Sequence, residues 1–473
     1  MWFLALTLAC ANQTGFYAPG QDGGVLPGVG DEFAGPGWTD DNSQPWQGGE
    51  TALPCDGDQQ VGALDDLDSF QADACGAVTG DLVISGVAGL EYLSLPDLKA
   101  VDGDLTIIAN PDLRSIDLAG LTLISGDISL VGPQVGDTNP LLESVALPAL
   151  IAVGGRLDTG AMATVHSLDL GALWFTGGSV FIDLSEDAVE VDLGNLERVD
   201  GDLTLWGDGL QAVDLDLLEE ARDLDLDYGG ARIALPNLHT VRDISASDGE
   251  LSVPSLHEVR NLGDFDGIRL HKLDLPNLER ADGDVNLVIE ASRADLPALR
   301  YVGGDLHLTA AHDEGDPTGP QVTAMVLHDL VYVGGDLQVD GQMVGEGELG
   351  LGALLAVGGD TSIEGVQSLD LDRLHVTYGD LAIERTGIEW LSLPLLSSVD
   401  GDLVVADNDA LTELGAPALG YVGGDLRIVD NPLLPTCIGE DLVDMVLGRD
   451  GVGGDVDVSG NADDACAQDV DES

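Results

Sequence analysis

The sequence predicts an all-β fold, a parallel β-solenoid, on three observations. A unit of 20 to 24 residues recurs from about residue 78 to 461. Within each unit, apolar residues alternate over short stretches with the two-residue period of a strand that turns one face inward. Every unit also carries Gly and often Pro at spacings that would each cost a helix ~1–3 kcal/mol. The stretch 401–425, GDLVVADNDALTELGAPALGYVGGD, shows the pattern most completely. With Asp402 as position 0, apolar residues fall at Leu403, Val405, Leu411, Leu414, Ala416, Leu419 and Val422, and a Gly-Asp pair opens the next unit. One unit cannot bury its own apolar edge, so it must stack on copies of itself.

The zero position recurs at seventeen places from Asp81 to Asp455, among them Arg156, Ser179 and Asp264, and is Asp at fifteen of them. Three spacings approach 30 residues and mark insertions at 131–140, at 310–322 and after Asp425. About seventeen rungs at ~4.8 Å each would give a rod roughly 80 Å long. A hydrophobic content of 44% with only 4% aromatics suits narrow rungs filled by Leu, Val and Ile.

From the N-terminus, residues 1–9, MWFLALTLA, are apolar, read as a signal segment, and are too short to span a bilayer. The segment resembles the end of a bacterial lipoprotein signal, in which a small residue, here Ala9, precedes the modified cysteine, although a basic n-region is missing. That resemblance implies lipid attachment at Cys10 and, with Ala11 following, an exported, lipid-anchored protein of the outer membrane or cell surface. Residues 10–54 are rich in Gly, Pro and Asp without periodicity and read as a disordered tether.

Residues 55–77 read as an N-terminal cap in which Val61, Leu64, Leu67 and Phe70 have the spacing of a short amphipathic helix. The solenoid proper is assigned to 78–436. Residues 437–473 form a C-terminal cap with a second helical pattern, the last rung and an acidic tail. Caps are expected because an open solenoid exposes apolar core and unpaired edges at both ends. The caps lie a rod's length apart, so local disulfides are expected, Cys55 with Cys75 and Cys437 with Cys466, implying an oxidising compartment.

The runs 101–121, VDGDLTIIANPDLRSIDLAGL, and 399–419, VDGDLVVADNDALTELGAPAL, resemble the receptor L-domain family. That resemblance implies a right-handed, leucine-rich-repeat-like β-helix over residues 78–461; it implies no function and carries over no ligand site. Asn110, Asn408, Asn431 and Asn461 stand at position +6, where related repeats place an asparagine inside a turn.

The charge is −69, from 86 acidic and 17 basic residues, and Lys99 and Lys272 are the sole lysines. Such a polyanion repels nucleic acid and anionic membranes, so membrane contact is expected only through the N-terminal lipid. Stacked aspartates at position 0 would repel one another by roughly 0.9 kcal/mol per step even in water. Either backbone N–H groups of the turn beside each carboxylate or condensed cations, Ca²⁺ foremost, must offset this; no other cofactor is expected.

Eight histidines fall at scattered repeat positions, His307 and, in an insertion, His312 among them, and no HExxH, nucleophile elbow or phosphate loop occurs. Arg373 and Arg385 lack a surrounding acidic cluster of the kind a polysaccharide lyase needs. Outward positions +2 and +4 bring Phe181 and Trp206 near Trp174 as a candidate binding patch. The expected function is non-enzymatic: a surface spacer or a recognition surface for a protein or glycan ligand. The rival readings are a carbohydrate-active β-helix enzyme of the lyase type and a purely structural envelope protein.

Overall fold

The computed structural model describes residues 53–463 apart from 133–137, 163, 185–189, 208–212, 228–231, 264–267, 290–292, 311–321, 323 and 342–347. The described residues form one compact unit. It is a parallel β-solenoid with three short strands per regular turn and, among the described residues, two helices. The longest strands follow the zero position and stack in exact succession into what we call the ladder sheet, as when Leu82–Ser85 pairs with Leu105–Ile108 in parallel. A second sheet stacks strands such as Trp390–Ser392 and Glu413–Gly415. A third stacks two-residue strands such as Ser398–Val399 and Tyr421–Val422.

The two-residue period decides what is buried. In Leu82–Ser85, Leu82 and Ile84 are fully buried while their neighbours are half-exposed, and the same alternation recurs in Leu381–Glu384. The inward side chains of all three sheets form one continuous core of Leu, Val and Ile. Burying each contributes roughly 1.5–3 kcal/mol, which no single turn could gain alone.

The Gly-Asp pair acts between turns. Asp81 Oδ1 accepts the backbone N–H of Asp104 at 2.9 Å and Asp104 that of Asp127 at 2.8 Å. In the C-terminal turns Asp380 accepts that of Asp402, Asp402 that of Asp425 and Asp425 that of Asp455 at 2.7–2.8 Å, whereas in between Asp202 and Asp223 turn to arginines. The glycine makes this contact possible: a Cβ on Gly103, Gly401 or Gly424 would collide with the carboxylate of the preceding turn. The donor is thus the zero residue of the following turn, not a group of the local turn as the sequence suggested. The ladder also begins one turn earlier than expected, because Asp81 N–H donates to Asp58 Oδ1 and Gln59–Val61 pairs with Leu82–Ile84.

One zero position is corrected. Leu262 aligns with Ile244 and Val285, so the ladder residue of that turn is Asn261, not Asp264, which lies outside the described residues. Asn261 N–H donates to Asp243 Oδ1 at 3.1 Å, and Asn261 Oδ1 accepts from Asp284 N–H at 2.9 Å.

A second ladder runs inside the turn at +6. Asn408 Nδ2 donates to Ile383 O at 3.0 Å, its Oδ1 accepts Thr386 N–H at 3.0 Å, and its own N–H donates to Asn431 Oδ1 at 3.1 Å. Asn431 and Asn461 repeat the arrangement. Asn110 does the same near the N-terminus with Asn139, a partner hidden in sequence by the insertion before it. The preceding residue takes a left-handed conformation to aim the asparagine inward, at φ 55° for Ala109 and 56° for Asp407.

The ends are covered as the sequence led us to expect. Helix α1, Leu64–Ala72, buries Leu67 and Phe70 against the first turns, whereas Val61 belongs to a strand. Cys55 and Cys75 are disulfide-bonded with Cα atoms 5.5 Å apart. Helix α2, Thr436–Leu447, occupies the insertion after Asp425 and buries Leu442, Val443 and Val446. Cys437, on α2, is disulfide-bonded; Cys466 and Cys10 lie outside the described residues.

Candidate recognition face

Outward positions of the ladder sheet form straight rows, because successive turns stack without slip. The +4 row carries Asp183, Trp206 and Asp227 on consecutive turns, and the +2 row carries Phe181, Thr204 and Asp225 beside them. Strand Leu203–Trp206 buries Leu203 and Leu205 and so must turn Trp206 outward, where it is 39% exposed. Phe181 meets the indole edge-on, with ring centroids 5.3 Å apart and an interplanar angle of 77°, a favoured aromatic arrangement that fixes the Trp206 ring.

Carboxylates bracket the indole along its row. Burial pushes the Asp183 carboxyl above the usual carboxylate range. Asp227 Oδ1 accepts a hydrogen bond from Ser247 Oγ at 2.6 Å, leaving Oδ2 for another donor. Below Phe181, Asp158 pairs with Arg156 Nη2 at 2.7 Å. The face therefore combines a fixed aromatic surface with hydrogen-bond acceptors spaced one turn apart.

Trp174 is not part of this face. It precedes the third-sheet strand Phe175–Thr176 and packs on Phe175, ring centroids 5.9 Å apart. Closeness in sequence to Phe181 placed it in the patch; the corner between the two sheets takes it out.

Other candidate groups are tied to local structure. Arg385 does have carboxylates around it, contrary to expectation, and is ion-paired with Glu364 and Glu384. His239 Nδ1 contacts Thr240 Oγ1, and His257 and His375 contact backbone carbonyls two residues earlier. His307 stands half-buried in the +2 row between Asn286 and Gln338, and His312 lies outside the described residues. Among the described residues, no group of three His, Cys, Asp or Glu side chains is placed to hold a metal ion. Where the ladder bond forms, the aspartate commits Oδ1 to the N–H of the next turn, which offsets part of the repulsion between stacked carboxylates.

No family model matches the chain, and no curated protein is detectably similar to it. The functional reading therefore rests on the geometry of the face.

Proposed function

We propose that this protein is an exported, lipid-anchored surface protein whose solenoid recognises a neutral glycan through the ladder-sheet face around Trp206. The observation that carries the reading is the fixed, exposed indole flanked in its own row by Asp183 and Asp227. A sugar ring presents C–H groups that pack on an indole and hydroxyls that donate to carboxylates, and the face offers both. Neutrality follows from charge, since −69 disfavours uronate or sulfated polymers. Attachment at Cys10 rests on the lipoprotein-like segment ahead of it; among the described residues no helix is long and apolar enough to cross a membrane.

The test is affinity electrophoresis and calorimetry of the full chain with a soluble neutral β-glucan and with polygalacturonate. Glucan binding that disappears in Trp206→Ala while the melting curve is unchanged supports the reading. Ultraviolet-absorbing unsaturated uronides released from polygalacturonate would replace it with the lyase reading. A partner protein whose binding survives Trp206→Ala would move recognition elsewhere. In a bacterial host, Cys10→Ser should shift the protein from the detergent to the aqueous fraction, and unchanged partitioning would sink the anchor.

A further inference from the structure

The two halves of the outer face of the third sheet mirror one another in order, with apolar residues outermost, charged residues next and a histidine innermost, and with Glu197 in one half where the other has Arg300. Its rows are fixed by backbone bonds from turn to turn. Trp174 N–H donates to Ile151 O, Glu197 to Trp174, Glu219 to Glu197 and His239 to Glu219, all at 2.8–3.1 Å. On the next turn the row resumes, with Glu279 donating to His257, Arg300 to Glu279, Val331 to Arg300 and Leu355 to Val331. The first half thus runs Ile151, Trp174, Glu197, Glu219, His239, and the second runs His257, Glu279, Arg300, Val331, Leu355. The adjacent row carries Phe175, Arg198 and Glu220 in the first half and Arg280, Tyr301 and Tyr332 in the second.

Two features bear on what this face could meet. Ile151 is 52% exposed and Val331 36%, so apolar groups stand in water at both ends of the row. Arg280 and Arg300 are both exposed on the same face, in a chain with only 17 basic residues.

We propose that this face pairs with the same face of a second copy of the chain, running antiparallel about a two-fold axis between His239 and His257. The rotation keeps each row over itself and reverses its order. Ile151 then meets Leu355 of the second copy, Trp174 meets Val331, and Phe175 meets Tyr332. Between the apolar ends, Glu197 faces Arg300, and Glu220 faces Arg280, although these two also hold ion pairs within the chain, to Arg198 and to Asp282. Arg198 comes opposite Tyr301, whose ring faces are taken by Arg280 at 4.2 Å and by Tyr332. One like-charged pair remains, Glu219 with Glu279, and it lies beside Arg280. A parallel pair would instead set Glu197 against Arg198 and Glu219 against Glu220 and leave Arg300 opposite Tyr301, so only the antiparallel pair couples Glu197 to Arg300. Every contact occurs twice, as an isologous interface requires. The ladder sheet is a different face of the solenoid, so Trp206 stays accessible in the pair.

Sedimentation velocity of the full chain across a concentration series tests this, at low salt and at about 0.5 M NaCl, where screening relieves the repulsion between two polyanions. A monomer–dimer equilibrium that strengthens with salt is expected. Glu197→Arg and Arg300→Glu should each weaken it by about tenfold or more, and the double variant should restore it. Trp206→Ala should leave it unchanged, which separates this interface from the glycan face. A monomer at every concentration and salt, or single swaps without effect, or a double swap that fails to restore association, would overturn the proposal. All the substituted positions are on the surface, and the melting curve of each variant checks that it is folded.

Discussion

The C-terminal turns, from Asp360 to Asp455, and the middle turns, from Arg198 to Asn261, follow the same repeat but hold their turns together differently. In the C-terminal turns Gly precedes every ladder aspartate, and each carboxylate reaches a backbone N–H of the next turn. In the middle, Arg222, Arg242 and Arg260 stand where the glycine would be. Asp202 there turns to Arg222, with Arg222 Nε to Oδ1 at 2.6 Å, and Asp223 turns to Arg242. Asp243 keeps its backbone bond, to Asn261, in the shortest step of the ladder, 18 residues. Over the same turns the third sheet thins to isolated bridges at Glu220 and Thr240. A glycine permits a sheltered bond to the backbone; an arginine substitutes a half-exposed ion pair, which contributes less and weakens with salt.

Five experiments would break or sharpen that contrast. The largest effect is expected for Asn408→Ala, which strips partners from Thr386 N–H and Ile383 O in the core of the turn. The expected loss is about 3 kcal/mol or more, read from urea unfolding. Next comes Gly401→Ala, whose added Cβ collides with Asp380 Oδ1 and with the backbone at Gly379. It should cost about 2–3 kcal/mol, whereas Arg222→Ala should cost less than about 1 kcal/mol. Equal costs for these two would show that the glycine has no special part in the ladder.

A smaller effect of opposite sign is expected from Thr361→Val. The Thr361 hydroxyl is buried in the C-terminal turns with no hydrogen-bond partner among the described residues. Its removal should raise stability by about 1 kcal/mol in the same urea titration.

The smallest effect compares Asp402→Asn with Asp202→Asn across pH. An amide oxygen can replace the ladder carboxylate, as Asn261 does, so Asp402→Asn should be near neutral. Asp202 is held below the usual carboxylate range, chiefly by its hydrogen bond from Arg222. Its stabilising contribution is therefore present above the unfolded-state value near 3.9 and is lost as pH falls through the lower folded value. Asp202→Asn should destabilise slightly at pH 7 and have no effect below that window. Asp223 behaves differently because burial outweighs Arg242 and raises its pKa. Hydrogen exchange in the middle turns should accelerate in high salt and exchange in the C-terminal turns should not.

Much of this architecture was legible in the repeat. Alternation at Leu403 and Val405 gave the ladder strand, and Leu67 with Phe70 gave α1. What the sequence hid was mostly register. Asn139 follows an insertion and Asn261 a short turn, so counting from neighbouring units missed both. The Gly-Asp pair was readable as a bend, but its acceptor role needed the next turn in place, since the bonded atoms are 18 to 31 residues apart. The recognition face was half legible: Phe181 and Trp206 share a sheet because +2 and +4 both point outward, whereas Trp174 lies across a corner that no spacing rule marks.

The Gly-Asp pair also bears on how such a chain lengthens over evolutionary time. Each C-terminal turn brings its own clearance for the turn before it and its own acceptor for the turn after it. A duplicated segment of gene spliced into that region therefore arrives with matching joints on both sides, and copy number can drift without refitting neighbours. In the middle, Arg222 is matched to Asp202 one turn back, so a recombination breakpoint between them would orphan a charge on each side. Growth by tandem duplication should accordingly be tolerated in the glycine-bearing turns and selected against between residues 198 and 261.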